Sequence, residues 1–202
     1  MLENIYKYAK EFKIPIMQDD GIEYLLNLIK ERNVKNILEI GSAIGYSAIR
    51  MALVSDDIKV TTIEKDKERY LVAVDNINKM NLENRITIIN DDALNTTIEG
   101  LYDLIFIDAS KSHNIDFFQK YSKNLTYNGI IVTDNLSFHG LVEDPNLAIT
   151  KNQKGIVRHI KEYIDFLDNN KDYITTYIPL GDKISISKRK EDWYYEEYLS
   201  YS

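Results

Sequence analysis

The sequence predicts an α/β fold in which a seven-stranded, mostly parallel sheet carries helices on both faces and ends in an antiparallel hairpin. From residue 34 onward, short apolar runs alternate with helix-like stretches, which is typical of a parallel sheet covered by helices. The interior residues of these runs are nearly all apolar or β-branched, as expected for strands buried on both faces. The last two runs lie too close together for a parallel return, so they must pair as a hairpin.

The elements follow in order along the chain. Residues 1–33 are predicted to form a helical extension, in which Asp19 or Asp20 caps a helix with an apolar stripe at Ile22, Leu25 and Ile29. Five parallel strands are predicted at residues 36–40, 59–64, 85–90, 102–108 and 129–134. A loop at residues 136–152, a helix at 155–167 and the hairpin strands at 173–178 and 183–188 complete the core.

Length and composition limit the possible classes. The 202 residues predict one domain, made of the extension, a core at residues 34–188 and a tail at 189–202 that is either frayed or a dimer or lid contact. The absence of cysteine excludes disulfides, thiolate zinc sites and cysteine nucleophiles. A net charge of −7 disfavours nonspecific nucleic-acid binding. Because no signal peptide or apolar span is visible, we expect a cytoplasmic protein without membrane contact.

A glycine-containing turn, residues 39–47, follows the first strand and opens a helix. Gly41 and Gly45 permit a sharp turn and a close approach of a ligand to the backbone. A nicotinamide dinucleotide fits poorly, because Ala43 and Tyr46 stand where that fingerprint requires glycines. Two glycines alone are equally compatible with a purely structural turn.

Acidic residues at three successive strand ends make the signal more specific. Glu64 lies 19 residues after Gly45 and is suited to bind both ribose hydroxyls. Asp92 can accept from an adenine amino group while Ala93 packs on the ring, and Glu39 would face an amino group. A nucleoside that carries positive charge and no pyrophosphate describes S-adenosylmethionine.

The ends of the fourth and fifth strands carry further oxygen donors. Asp108, Asp134 and Asn135 would lie close together, because the carboxyl ends of neighbouring parallel strands meet at one edge. Two carboxylates and an amide oxygen are suited to Mg²⁺ or another divalent cation. The alternative is that both aspartates are ordinary helix or turn caps.

Lys111 lies three residues after Asp108 and is the predicted general base, since a neighbouring metal favours the neutral amine. His113 and His139 are the rival bases, because imidazole titrates near neutrality. A loop histidine is also suited to substrate contact.

These motifs together resemble the class I S-adenosylmethionine-dependent methyltransferases, which have a Rossmann-like fold. Over residues 14–188 the chain resembles, more narrowly, the metal-dependent catechol and caffeoyl-CoA O-methyltransferases. The resemblance implies cofactor contacts by Met17, Glu39, Gly41, Ser42, Gly45, Tyr46, Ser47, Glu64, Asp92, Ala93 and Asp108, metal ligation by Asp108, Asp134 and Asn135, and catalysis by Lys111 with Asp108.

Residues 14–17, 134–142 and 181–188 look specifically like the bacterial tRNA 5-hydroxyuridine methyltransferase branch. We therefore expect 5-methoxyuridine formation at the wobble position of the tRNA anticodon loop, by a homodimer as is usual in that branch. His139 departs from that branch, which more often has lysine there. The alternatives are a small-molecule catechol or phenol O-methyltransferase and a noncatalytic nucleoside-binding module.

A basic stretch, residues 151–161, contains no acid. In a helix, Lys154, Arg158 and Lys161 would share one face and could hold RNA phosphates, with His139 as a further contact. A solvated helix face is the equal alternative.

Overall fold

The computed structural model describes residues 1–191, and the part of the predicted tail from residue 192 onward lies outside them. Seven strands form one sheet in the order β3-β2-β1-β4-β5-β7-β6. The strands are β1 (Asn36–Ile40), β2 (Lys59–Ile63), β3 (Ile86–Ile89), β4 (Tyr102–Ile107), β5 (Leu125–Thr133), β6 (Tyr173–Ile178) and β7 (Ile184–Arg189). The predicted fold class is confirmed.

Six α-helices connect or precede these strands within the described residues. They are α1 (Leu2–Glu11), α2 (Asp19–Glu31), α3 (Tyr46–Ala52), α4 (Lys67–Lys79), α5 (Asn114–Tyr121) and α6 (Lys151–Asp168). No helix in this part of the chain is long and apolar enough to cross a membrane.

The strands β1 to β5 are parallel, and the predicted hairpin is present at the end of the sheet. β7 lies between β5 and β6 and is antiparallel to both, with Val132 opposite Ile186 and Ile178 opposite Ile184. The chain order reverses between β1 and β4, because β2 and β3 extend the sheet to one side and β4 begins the other. Ligands of open α/β sheets bind at the carboxyl ends of the strands near this reversal.

Each face of the sheet has its own apolar core. Ile37 faces a cluster that includes Ile22 of α2 and Ile49 of α3, and its neighbour Leu38 faces the opposite cluster around Phe118 of α5 and Ile160 of α6. Successive residues of a strand point to opposite faces, so a strand apolar at every position is buried on both sides. The N-terminal helices belong to the first cluster and pack directly on the core.

Two local predictions were wrong. Asp19 and Asp20 do not cap α2; they lie in its first turn, where carboxylates stabilise the helix dipole, and the N-cap is Gln18 without a side-chain hydrogen bond. The last helix begins at Lys151 instead of residue 155, because Thr150 and Gln153 form a capping box that starts the helix earlier.

Candidate functional site

A cavity of about 480 Å³ opens at the carboxyl ends of β1, β2 and β4, beside the reversal of strand order. It is bounded by the β1 turn, the ends of β2 and β4, and the segment before α2. Among the residues predicted to bind cofactor, its wall includes Met17, Gly41, Ser42, Tyr46, Ser47, Glu64, Asp92, Ala93 and Asp108.

The glycine turn after β1 brings the backbone against the end of β4. Gly41 has φ +96, and a Cβ at this position would lie 2.4 Å from the Asp108 carbonyl oxygen, so no larger residue fits. Gly45, with φ +80, is the N-cap of α3 and packs against Ala73 of α4 instead of lining the cavity. The two glycines therefore shape the turn from opposite sides.

Glu39 is completely buried beneath the cavity and is not part of its wall. Its carboxylate accepts hydrogen bonds from the hydroxyls of Ser47 and Thr62. Burial raises the pKa of Glu39 to about 7, against the lowering effect of the two hydroxyls. Glu39 thus fixes Ser47, which does line the cavity, and its predicted contact with a cofactor amino group stays a prediction.

Glu64 connects the end of β2 to the glycine turn. Its two carboxylate oxygens accept the backbone N–H groups of Ala43 and Asp66, each at 2.8 Å. The side chain is largely buried, and burial raises its pKa. A carboxylate held in this way keeps further lone pairs directed at the cavity, as ribose hydroxyls would require.

Asp92 and Ala93 lie on the loop after β3. Asp92 accepts from Lys65 at 2.7 Å and from the backbone N–H of Leu94 at 2.9 Å, and the bond from Lys65 is the main cause of its lowered pKa. The carbonyl of Ala93 accepts from Tyr121 at 2.6 Å and from Lys120 at 2.9 Å. No motif in the sequence predicts this support, because Lys120 and Tyr121 lie on a helix that comes after the next strand.

The ends of β4 and β5 meet on the other side of the cavity. The Lys111 ammonium donates to Asp108 Oδ1 at 3.1 Å and to the carbonyl of Asp134 at 3.0 Å. Its side chain is only 12% exposed. The structure therefore brings together Asp108, Lys111 and Asp134, and Asn135 lines the same cavity.

Two side-chain oxygens at this edge have no hydrogen-bond partner. Asp134 Oδ1 and Asn135 Oδ1 are both buried from solvent, and no donor in the described structure reaches them. Burial, followed by the charge of Asp108, raises the pKa of Asp134 to about 7. Buried acceptors without donors are costly, so such a pair indicates a site that a cation can complete.

The oxygen donors at this edge come from an amide as well as from carboxylates. Within residues 1–191, no three histidine, cysteine, aspartate or glutamate side chains come together as a metal-binding group. The donor set at this edge is instead two aspartates and one asparagine, all hard oxygen donors of the kind that Mg²⁺ accepts.

The two candidate histidines occupy different places. His113 lines the cavity, and its Nδ1 lies 2.9 Å from Asp116 Oδ2. The His139 side chain is 67% exposed and lies outside the cavity, and its backbone N–H donates to Asp182 Oδ1 at 2.7 Å.

A second groove, of about 820 Å³, adjoins the first cavity at the loop after β4. The residues common to both walls are Ala109, Ser110 and Lys111. The far wall is the first half of α6, where Gly155 leaves open space because no atom lies within 4 Å of the position of a Cβ. A molecule in this groove would reach Lys111 from the side opposite the cofactor cavity.

The three predicted RNA contacts on α6 are exposed and lie on consecutive helical turns. Arg158 Nε is 3.7 Å from Glu162 Oε1, so part of its charge is offset by a neighbouring carboxylate. Glu162 interrupts the basic stripe, and it lies one residue beyond the acid-free stretch, residues 151–161.

Several cavity residues were not predicted. Lys65 and Asp91 are neighbours of predicted residues, and that adjacency could have identified them. Helical residues such as Arg69 and Phe117 have no motif of their own. The additional wall residues include Pro15, Ile16, Ile63, Lys65, Arg69, Asp91, Leu94, Ser110 and Phe117.

Known proteins resemble this chain in both sequence and structure. A Staphylococcus aureus structure, provisionally named a caffeoyl-CoA O-methyltransferase, is 35% identical and has a TM-score of 0.90, with 93% of this chain and 91% of that chain covered. Caffeoyl-CoA O-methyltransferase 2 of Populus trichocarpa is 30% identical over 85% of this chain and 73% of its own length. The structure of Podospora anserina methyltransferase PaMTH1 with S-adenosylhomocysteine is 25% identical, covers 84% of this chain and 77% of that chain, and has a TM-score of 0.78. Because the O-methyltransferase family model matches residues 1–190, the chain belongs to the O-methyltransferase family, whose members are S-adenosylmethionine-dependent enzymes.

Proposed function

We propose that the protein transfers the methyl group of S-adenosylmethionine to a hydroxyl of a small catechol-like molecule, with a divalent cation bound beside the reacting oxygen. The observation that carries the proposal is the pair of buried, unpartnered oxygens of Asp134 and Asn135 next to Lys111 and Asp108. A cation at this edge would lie beside the 480 Å³ cavity. It could bind both oxygens of an acceptor with two adjacent oxygens and hold it for O-methyl transfer.

The cofactor is proposed to lie in the 480 Å³ cavity. Glu64 would accept from the ribose hydroxyls, Asp92 from the adenine amino group, and Ser42 and Ser47 would face the methionine portion. Support comes from the hydrogen bonds that already hold Glu64 and Asp92 in place, since side chains fixed before binding lose little freedom when the ligand arrives.

The proposed metal ligands are Asp108, Asp134 and Asn135. Their oxygens fit a hard divalent cation, and the two unpartnered atoms give such a cation donors that no protein group competes for. When bound, a divalent cation stabilises the negative charge that develops on a phenolic oxygen.

Lys111 is the proposed general base. Its nitrogen, in the neutral form, accepts the proton of the acceptor hydroxyl. The resulting oxyanion attacks the sulfonium methyl group, the carbon–sulfur bond breaks with its electron pair retained by sulfur, and S-adenosylhomocysteine leaves. Asp108 and the Asp134 carbonyl hold the Lys111 nitrogen at the junction of the two cavities, which is where a hydroxyl from the groove would meet it.

The acceptor is proposed to occupy the 820 Å³ groove. Its wall offers the apolar side chain of Ile156, polar groups from Ser112 and Asn152, and the open space at Gly155. A planar ring fits such a mixed wall. Two of the relatives are named for caffeoyl-CoA, whose caffeoyl ring carries two adjacent hydroxyls, and this supports a small-molecule acceptor over tRNA.

The tRNA wobble uridine is the second candidate. It is favoured by one observation, the exposed basic residues Lys154 and Lys161 on the helix that forms the groove wall. The ion pair between Arg158 and Glu162 weakens this candidate, because it reduces the charge available to phosphates.

Radiolabelled S-adenosylmethionine distinguishes the candidates. The protein is incubated with catechol, caffeate or tRNA containing 5-hydroxyuridine, each with EDTA and with excess Mg²⁺. We expect label on the small catechols, only when Mg²⁺ is present. Label on tRNA alone would show that the acceptor is RNA and not a small molecule. In that case the K154A/R158A double variant should lose RNA modification, and the catechol incubations should remain unlabelled.

A further inference from the structure

The segment after β5, residues 134–143, which we call the β5 loop, has an unusual backbone. Asn135, Phe138 and His139 have φ values of 69, 50 and 58, and Gly140 follows with φ 83. Left-handed backbone is unfavourable for a residue other than glycine, because its Cβ lies too close to the following carbonyl oxygen. Three such residues in one short loop indicate that surrounding contacts impose its shape.

The contacts that impose this shape come from the turn between β6 and β7, residues 179–183. The backbone N–H of Leu136 donates to the carbonyl of Lys183 at 3.0 Å, and that of Ser137 donates to the carbonyl of Asp182 at 2.9 Å. The His139 N–H donates to the Asp182 side chain at 2.7 Å. This last bond is the one that falls on a left-handed residue.

The side chain that holds His139 is a buried carboxylate. Asp182 is 4% exposed, and its Oδ2 has no hydrogen-bond partner; the ring nitrogen His139 Nδ1 lies 3.6 Å away. A buried carboxylate oxygen without a donor is destabilising. The other oxygen accepts the N–H of a residue in left-handed conformation, so the burial of Asp182 serves the shape of the β5 loop.

The β5 loop begins at the proposed metal edge. Asp134 and Asn135 are its first two residues, and the bonds from Leu136 and Ser137 to the turn between β6 and β7 follow directly in the chain. A shift of the turn that carries Asp182 would therefore move the backbone next to both proposed ligands.

We infer that Asp182 is a positioning residue for the metal edge: its Oδ1 holds the β5 loop in the left-handed shape that presents Asn135. The inference rests on the proposed function, because it assigns Asp182 to the same cation site. It adds a residue that lies 47 positions beyond Asn135 in the chain and that no motif of the site contains.

Two substitutions test the bond to His139. Asp182→Ala removes the acceptor, whereas Asp182→Asn retains an amide oxygen in its place. Asp144→Ala is the matched control, since Asp144 is an exposed carboxylate just beyond the β5 loop, and its side chain accepts from the backbone N–H of Asn146. Binding of Mn²⁺ is measured by calorimetry and by the rise in melting temperature, without any acceptor present.

We expect Asp182→Ala to weaken Mn²⁺ binding about threefold to tenfold, while Asp182→Asn and Asp144→Ala stay within about twofold of the parent chain. A glycine at position 139 adopts positive φ without strain, so His139→Gly should restore part of the lost Mn²⁺ affinity in the Asp182→Ala background and little in the parent chain. A purely structural role would lower the melting temperature without this rescue of metal affinity.

The outcomes distinguish this inference from the proposed function. If the parent chain binds Mn²⁺ and Asp182→Ala binds it equally well, the inference is overturned while the proposed function stands. An Asp182→Asn variant that loses as much affinity as Asp182→Ala would also overturn it, because the retained acceptor would then have no effect. If Asp182→Ala does not fold, Asp182→Leu, which has a side chain of similar size without an acceptor, takes its place. A parent chain that binds no divalent cation contradicts both.

Discussion

The two halves of the ligand-binding edge differ in how completely their acceptors are used. On the cofactor side, Glu39, Glu64 and Asp92 each accept two hydrogen bonds from neighbouring protein groups. On the other side, buried oxygens of Asp134 and Asn135 accept none. The protein itself holds the cofactor half in shape, whereas the second half keeps acceptors that suit a cation. The difference predicts separate effects on cofactor binding and on turnover.

The largest expected effect is that of Asp134→Ala. Loss of a proposed metal ligand removes several kcal/mol of oxyanion stabilisation, so methyl transfer to catechol should fall by about 10³-fold. The affinity for S-adenosylhomocysteine should change little, because Asp134 is not part of the cavity wall. Calorimetry and a radiolabel assay on the same preparation measure both. Asp144→Ala is the control. If Asp134→Ala lost cofactor affinity and turnover to the same extent, the two halves of the edge would not be functionally distinct.

Lys111→Met should be next in size. General base catalysis contributes roughly 10²–10⁴-fold, so we expect kcat to fall by about 10²-fold at saturating cofactor and Mg²⁺. The exposed Lys79, paired with Asp75 on α4, provides the control Lys79→Met. A Lys111 variant whose kcat stays within threefold of the parent would exclude Lys111 as the base.

Glu64→Ala should act on the cofactor half alone. Hydrogen bonds to a charged group are worth about 1.5–3 kcal/mol, which predicts roughly 10-fold to 100-fold weaker binding of S-adenosylhomocysteine. At saturating S-adenosylmethionine, kcat should recover most of its parent value. Titration of the variant beside Glu68→Ala, an exposed acid on α4, measures the effect. Unchanged affinity would show that the ribose lies elsewhere.

The smallest expected effect is on stability against pH. Glu39 and Asp134 have pKa values raised to about 7 by burial, above the value of roughly 4 in an unfolded chain. The folded state therefore binds more protons, and the stability that these groups contribute at low pH is lost as pH rises from about 4 to 7.

Between pH 5 and pH 8, the melting temperature of the metal-free protein should fall. Each kcal/mol of stability that is lost lowers the melting temperature by roughly 2–4 °C in a chain of this size. Glu39→Gln should flatten the slope, because glutamine has no proton to lose. Differential scanning calorimetry across this range measures the slope. A slope that is equally steep in Glu39→Gln would assign the pH dependence to other groups.

The apolar runs and the glycine turn were sufficient to predict the sheet and its hairpin, because burial on both faces requires apolar residues at every strand position. The start of α6 was missed, since the capping box at Thr150 and Gln153 lies in a stretch interpreted as loop. Glu39 lies beneath the cavity wall, and the sequence holds no signal for that depth.

Contacts between distant segments could not be predicted in the same way. The bond from Tyr121 to the Ala93 carbonyl and the bond from His139 to Asp182 join residues 28 and 43 positions apart. Each bond depends on how two elements that are far apart in the chain pack together. No periodic pattern in the sequence indicates which distant elements will pack. The strand ends could be located from the sequence, but the groups that hold their side chains in place could not.

Methyl transfer from radiolabelled S-adenosylmethionine to catechol, measured with EDTA and again after Mg²⁺ is restored, tests the central claim most directly. We expect label on the catechol oxygen with Mg²⁺, loss of transfer in EDTA, and recovery when Mg²⁺ exceeds the chelator. Transfer that continues undiminished in EDTA would contradict a cation held by Asp108, Asp134 and Asn135.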